Sequence, residues 1–104
     1  MKRVIFRPQA DRDVDVALVY YAHENPRIAR DFLREVNSVS DQLSKMPGIG
    51  SPRLSRELTV DGLRSYPLNI FPYLLLYFER TDHVDLVRVM HSHRDFSNLL
   101  LGIE

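Results

Sequence analysis

Three apolar segments in the second half of the chain decide its fold: LRSYPL at residues 63–68, FPYLLLYF at 71–78 and VDLVRVMHSHRD at 84–95. Their lengths and their valine, leucine and aromatic content are typical of β-strands, and short polar turns separate them. We predict strands over Gly62–Leu68, Tyr73–Glu79 and Val84–Met90. The middle strand is apolar on both faces, which predicts that it is central and covered on both sides.

The first half of the chain predicts one strand and two helices. Arg3–Arg7 has the pattern of a short edge strand, which Pro8 ends because proline has no N–H for a ladder. Asp11–Glu24 carries an apolar stripe at helical spacing, and a second helix over Pro26–Lys45 follows. Asn25 is a favourable N-cap for that second helix, and the short link predicts an antiparallel helical hairpin.

These elements predict a single α+β domain over residues 1–104, with the order β-α-α-β-β-β. The helical hairpin packs on one face of a small antiparallel sheet, and the other face is partly open. The buried stripe of the first helix is predicted to consist of five residues, namely Val14, Ala17, Leu18, Tyr21 and Ala22.

Composition excludes several classes of protein. The 14 basic and 14 acidic residues give a formal net charge of zero, so direct nucleic-acid binding by the chain alone is not expected. The chain has no cysteine, which excludes a disulfide scaffold and a thiolate metal site and fits a reducing, cytoplasmic compartment. It has no apolar run of about 18 residues and no apolar leader near its start, so neither a membrane span nor a signal peptide is expected.

Polar side chains at the end of the last strand are the candidate functional residues. His91 and His93 are two residues apart, so on a strand both point to the same face, and Arg94 and Asp95 follow them. A metal site is not expected, because two imidazoles do not fill a tetrahedral shell. We predict no cofactor.

Two arginines and a tyrosine in the strands extend this candidate site. Strand alternation predicts that Arg64, Tyr66 and Arg88 line the open sheet face. Cations around an imidazole could bind a phosphodiester or cleave RNA, a reaction that needs an acid, a base and stabilisation of the phosphorane charge. Three interpretations remain open: structural pairing of these groups, for example of Arg88 with Asp85 or Glu79; binding of a partner; and catalysis.

Six sequence motifs, in this order and spacing, resemble those of one protein family. They are Ala10-Asp13-Tyr20-Tyr21, Asn25-Pro26-Ala29-Phe32, Pro47-Gly50-Pro52-Arg53, GLRSYP at residues 62–67, FPYLLLY at 71–77 and RVMHSHRD at 88–95. On these motifs the chain resembles the ParE/RelE superfamily of bacterial type II toxins, also called plasmid stabilization proteins, and the ParE branch most closely.

The resemblance implies a compact toxin fold, growth inhibition and a small ParD-like antitoxin as partner. ParE-type members poison DNA gyrase without being nucleases, whereas RelE-type members cut mRNA on the ribosome. The zero net charge and the absence of lysine after Lys45 favour the gyrase inhibitor, which is not an enzyme. The alternatives are a ribosome-dependent endoribonuclease and a divergent non-toxic antitoxin-binding module. The residues predicted for target or partner binding are Arg64, Tyr66, Arg88, His91, His93 and Arg94. A ribonuclease would use His91, His93, Arg64 and Arg88 as its catalytic set.

Overall fold

A computed structural model describes residues 1–93 of the chain. Arg94, one of the predicted partner-binding residues, and Asp95 lie outside this range. The elements, in chain order, are β1 (Arg3–Phe6), α1 (Pro8–Glu24), α2 (Pro26–Lys45), a 3₁₀ turn (Pro47–Ile49), α3 (Arg53–Leu58), β2 (Leu63–Pro67), β3 (Tyr73–Glu79) and β4 (His83–His91).

The α+β class is confirmed, and the six predicted elements occur in the predicted order, but an additional short helix, α3, lies between α2 and β2. β3 has the predicted bounds, and β4 extends one residue further at each end than Val84–Met90. Pro8 does not only end β1: it occupies the first turn of α1, where its missing N–H costs nothing, so the helix starts earlier than Asp11. Asn25 caps α2 as predicted, and its side chain accepts a hydrogen bond from the backbone N–H of Arg27 at 2.8 Å.

The four strands form one sheet in the order β1-β4-β3-β2. β2–β3 and β3–β4 are antiparallel, as a meander requires, but β1 pairs with β4 in parallel. The sheet is therefore mixed, and the expectation of a purely antiparallel sheet is wrong for β1. β1 is an edge strand, as predicted, and β3 is central.

Apolar clusters fill both faces of the sheet. The face under the α1–α2 hairpin carries the larger cluster, which includes Phe32, Leu43, Leu75 and Tyr77. The opposite face carries a second cluster. That cluster consists of Leu54, Val60, Leu63, Leu76, Phe78, Val87 and Met90. The second face is thus less open than predicted, because α3, which the charged sequence RLSREL did not reveal, supplies Leu54 to it. None of the helices in residues 1–93 is both long and apolar enough to cross a membrane.

Asp85 holds two arginines where β1 meets β4. Its carboxylate accepts two hydrogen bonds from Arg7, at 2.9 and 2.8 Å, and two from Arg80, at 3.2 and 3.0 Å. Only 13% of the Asp85 side chain is exposed, and the bond from Arg7 is the main reason that the pKa of Asp85 lies below its ordinary value. The carboxylate therefore stabilises the fold above the ordinary aspartate pKa of about 3.9, and this stabilisation is lost as the pH falls through the lower pKa of the folded state.

We expect Asp85→Asn to lower the free energy of unfolding by about 1.5 to 3 kcal/mol at neutral pH, because it weakens hydrogen bonds between charged groups. The deficit should shrink as the pH falls below about 4, where the wild-type carboxylate becomes protonated too. Urea unfolding followed by circular dichroism across this pH range measures it. Asp31→Asn, at an exposed ion pair with Arg34, is the control and should change the free energy of unfolding little. An equal deficit for Asp85→Asn at every pH would contradict the role assigned to the Asp85 charge.

Candidate partner-binding surface

A groove runs between α1 and the part of β4 that extends past β1. β1 ends opposite Leu86, so within residues 1–93 no strand lies on the outer side of β4 beyond that point. Two adjoining cavities of about 410 and 450 Å³ make up the groove, and both are lined by Val16, Ala17, Tyr73 and His91. We call these two cavities together the α1–β4 groove.

An ion pair closes the floor of this groove. Arg88 donates to both carboxylate oxygens of Asp13 on α1, at 2.7 and 2.9 Å, and Asp13 also accepts the backbone N–H of Val89 at 3.0 Å. Both side chains are about nine-tenths buried, with exposures of 10% for Arg88 and 11% for Asp13. The hydrogen bond to Asp13 raises the pKa of Arg88, so its charge is fixed and neutralised in place.

A bulge in the β3–β4 ladder helps to place this arginine. Leu76 pairs with Arg88 but the next residue, Tyr77, pairs with Leu86, so Val87 is an additional residue in β4. A bulge bends a strand and re-aims the side chains beside it. Val87 packs in the second cluster while its neighbour Arg88 reaches Asp13 on α1, which lies over the other face.

Two imidazoles stand at the end of β4. His91 is half-buried with its ring 5.3 Å from that of Tyr73, and the exposed His93 ring is 5.4 Å from His91. β4 ends at His91, so His93 lies in a turn and not on the strand, but the two rings still lie together. The Nδ1 atom of His91 accepts the backbone N–H of His93 at 3.2 Å, an arrangement that leaves Nε2 to carry the proton of the neutral ring.

Aromatic side chains form the other end of the groove. Tyr21 contacts Tyr20, Phe32, Phe71 and Tyr73, with centroid distances between 5.0 and 6.3 Å. Burial, and next the neighbouring Tyr73, raise the pKa of Tyr21 to about 12. The Tyr21 phenol therefore carries no charge at physiological pH.

Arg64 and Tyr66 do not belong to this site, and the prediction that they line an open sheet face with Arg88 is wrong. Both point to the face covered by the helical hairpin, where Tyr66 packs against the larger cluster. Tyr66 lines a separate cavity of about 520 Å³ between α2 and the β2–β3 turn. The Arg64 guanidinium donates to the carbonyl oxygens of Gly50 at 2.8 Å and Gly48 at 3.3 Å, so it holds the 3₁₀ turn.

The residues proposed for catalysis are therefore not assembled in one place. Arg88 and His91 share the α1–β4 groove and His93 lies beside it, whereas Arg64 is on β2, with β3 between it and β4. Arg88 forms an ion pair within the domain, as the first of the three interpretations predicted. Its partner is Asp13, and not Asp85 or Glu79. Within residues 1–93 no three histidine, aspartate or glutamate side chains lie close enough together to hold a metal ion.

Sequence reasoning missed an exposed apolar face on α1. Val16, Val19 and Tyr20 are 71%, 59% and 61% exposed, next to the aromatic end of the groove. Their spacing of three and four residues is itself a stripe, and it was visible in the sequence beside the stripe of Val14 and Ala17. Exposed apolar patches often mark contact surfaces, so this face of α1 is a candidate contact surface.

Comparison with known proteins identifies a family and a solved structure with a similar fold. The family model described as "ParE toxin of type II toxin-antitoxin system, parDE" matches residues 4–96. Among solved structures, a chain of the "Chromosomal ParDE TA system from P. aeruginosa" superimposes with a TM-score of 0.74 at 18% sequence identity, over 88% of this chain and 96% of that one. At that identity the superposition establishes the fold alone. No curated protein matches.

Proposed function

The chain belongs to the ParE toxin family of type II toxin–antitoxin systems, and we propose from this that it inhibits DNA gyrase and is neutralised by a ParD-like antitoxin. The single observation that carries the proposal is the family match, which spans residues 4–96 of 104. Gyrase acts in the cytoplasm, so the toxin is expected there.

The surface chemistry supports an antitoxin with apolar and acidic residues. The α1–β4 groove offers apolar walls at Val16 and Ala17 and an aromatic end at Tyr73, with His91 at its rim. An apolar side chain that entered it would be removed from water, and a carboxylate would meet the Nε2 proton of His91. The exposed face of α1 extends the same contact beyond the groove.

The arrangement of charges favours a non-catalytic inhibitor over a ribonuclease. An RNA-cleaving site needs cations that are available to the phosphate, together with an acid and a base at one point. Arg64 is bonded to two backbone carbonyls and Arg88 to Asp13, on strands that β3 separates. The formal net charge of zero provides no general attraction to ribosomal RNA.

Expression of the chain without antitoxin is expected to stop growth, and co-expression of the antitoxin encoded beside it to restore growth. The purified chain should inhibit gyrase supercoiling of relaxed plasmid at micromolar concentration and trap a gyrase–DNA cleavage complex, because a poison acts on the enzyme–DNA intermediate. Gel analysis of the plasmid, with and without the antitoxin, measures both effects.

Primer extension on mRNA from the arrested cells separates the two toxin mechanisms. Intact transcripts are expected with a gyrase inhibitor. New 5′ ends in mRNA together with unaffected gyrase would replace the proposal with a ribonuclease. Normal growth on expression without antitoxin would instead identify a member of the family that has lost its toxicity.

A further inference from the structure

The cavity of about 520 Å³ between α2 and the β2–β3 turn is a second concave site, apart from the α1–β4 groove. Its volume is in the range of sites that bind small ligands or the side chains of a peptide. The α2 residues that line it run from Asp31 to Gln42, which are 11 residues apart, or about 16 Å along the helix. An extended chain covers that length with about five residues. We call this elongated cavity the α2 trough.

The floor of the α2 trough is apolar and aromatic. Val39 of α2, Tyr66 of β2 and Phe71 of the β2–β3 turn line it. Val39 and Phe71 are buried, whereas Ile70, at the rim, is 80% exposed. An apolar side chain that entered the trough would therefore be removed from water.

One carboxylate sets the charge of the α2 trough. Glu35 accepts the backbone N–H groups of Ile70 at 3.0 Å and Phe71 at 3.4 Å, both through Oε1, and within residues 1–93 its Oε2 atom makes no hydrogen bond. The other two charged side chains of the lining, Asp31 and Arg34, pair with each other at 3.1 Å. The trough therefore presents a single unpaired negative charge, on a carboxylate that the turn holds in place.

Side-chain amides supply further polar groups along the α2 trough. Gln42 and Asn69 line it, and the side chain of neither makes a hydrogen bond within the described part of the chain. An amide side chain has both donors and an acceptor, so it can bond the N–H and C=O groups of a peptide backbone. An extended main chain would thus find hydrogen-bond partners in the trough.

We propose that the α2 trough binds an extended segment of a partner protein in which an arginine stands two residues from a large apolar residue. Side chains two apart in an extended chain share one side at a spacing of about 6.6 Å, close to the distance of about 6 Å between Glu35 and Val39 along α2. The guanidinium donates to Oε2 of Glu35 with its aliphatic stem on Ile70, and the apolar side chain covers Val39 and Tyr66. The inference does not depend on gyrase inhibition, because it rests on this cavity alone.

NMR titration of the isotope-labelled chain with the synthetic peptide acetyl-SLSRS-amide measures this binding. The backbone amides of Ile70 and Phe71 report on it, because both are bonded to Glu35. We expect saturable shifts with a dissociation constant of about 0.1 to 10 mM, as suits a short peptide. The peptide with citrulline, an uncharged analogue, in place of arginine should bind about threefold to tenfold more weakly. The peptide with serine in place of leucine should bind at least about threefold more weakly.

Glu35→Gln tests whether the carboxylate causes the preference for arginine. Glutamine keeps an oxygen that can accept the N–H groups of the turn, so the turn should stay in place. In this variant the arginine and citrulline peptides should bind equally, whereas Asp41→Asn, an equal charge change at an exposed α2 position outside the trough, should keep the preference. The proposal would be overturned by any of three results: no saturable shift at Ile70 and Phe71 up to about 10 mM peptide, equal binding of the arginine peptide and either analogue to the wild type, or a preference for arginine that survives Glu35→Gln.

Discussion

Replacement of Arg88 with methionine is expected to lower the free energy of unfolding by about 3 to 5 kcal/mol, although methionine has a similar length and suits an apolar site. The reason is the partner that remains. Asp13 is 11% exposed, and without the guanidinium its carboxylate is a buried charge held by the N–H of Val89. Urea or thermal unfolding of the purified variant measures the loss.

A second substitution separates this explanation from simple loss of packing. Asp13→Asn removes the negative charge but keeps an oxygen that can accept the Val89 N–H. The double variant Asp13→Asn/Arg88→Met should therefore be more stable than Arg88→Met alone. Two independent losses could only lower the free energy of unfolding further. Arg30→Met, at an exposed arginine of α2, should stay within about 0.5 kcal/mol of the wild type. If the double variant is less stable than Arg88→Met, the charge on Asp13 is not the cause.

The same pair has a consequence for the α1–β4 groove. Asp13 links α1 to the portion of β4 beyond β1, so we expect loss of this pair to change the shape of the groove. We therefore expect Arg88→Met to weaken the binding of a partner in the groove even if Arg88 does not contact that partner. A functional role assigned to Arg88 from loss of activity alone would be misleading.

The strands were predictable because their signal is local. β3 is an apolar run between two turns, so residues 73–79 could be assigned from neighbours in sequence. β1 is four residues long, and its parallel partner β4 lies about 80 positions away, as the pairing of Ile5 with Asp85 illustrates. Nothing in RVIF itself distinguishes a parallel neighbour from an antiparallel one, so the mixed sheet could not be predicted.

The candidate site was harder to predict because its contacts join residues that are far apart in the sequence. Alternation correctly put Arg64 and Tyr66 on one side of β2 and Leu63 on the other, but it did not say which side receives the helical hairpin. Both faces are covered, one by α1 and α2 and the other in part by α3, so apolar content could not decide. The salt bridge between Asp13 and Arg88 joins residues 75 positions apart, and a bulge at Val87 directs it.

A methyl group at position 50 is expected to cost about 3 kcal/mol of stability, an effect that the exposed neighbour Gly48 should not share. A Cβ at Gly50 would lie 2.5 Å from the hydroxyl oxygen of Tyr77, 2.9 Å from its ring and 3.0 Å from the carbonyl of Ser65. That hydroxyl is buried and bonded on both sides: it accepts the N–H of Gly50 at 2.9 Å and donates to the carbonyl of Pro47 at 2.7 Å. Tyr77 therefore cannot move away without giving up both bonds, and Gly50→Ala should be measurably less stable in urea unfolding.

Tyr77→Phe supplies the test of this mechanism, because it removes the atom that the methyl group would meet first. Alone it should cost about 2 kcal/mol, since the Gly50 N–H and the Pro47 carbonyl lose their partner. Combined with Gly50→Ala it should cost clearly less than the sum of the two single changes, because the shortest clash and both bonds belong to the same hydroxyl. Gly48→Ala, with no atom within 4 Å of the added carbon, should stay within about 0.5 kcal/mol of the wild type. Strict additivity of the two changes would show instead that the ring at position 77 or the Ser65 carbonyl, and not the Tyr77 hydroxyl, limits the space at position 50.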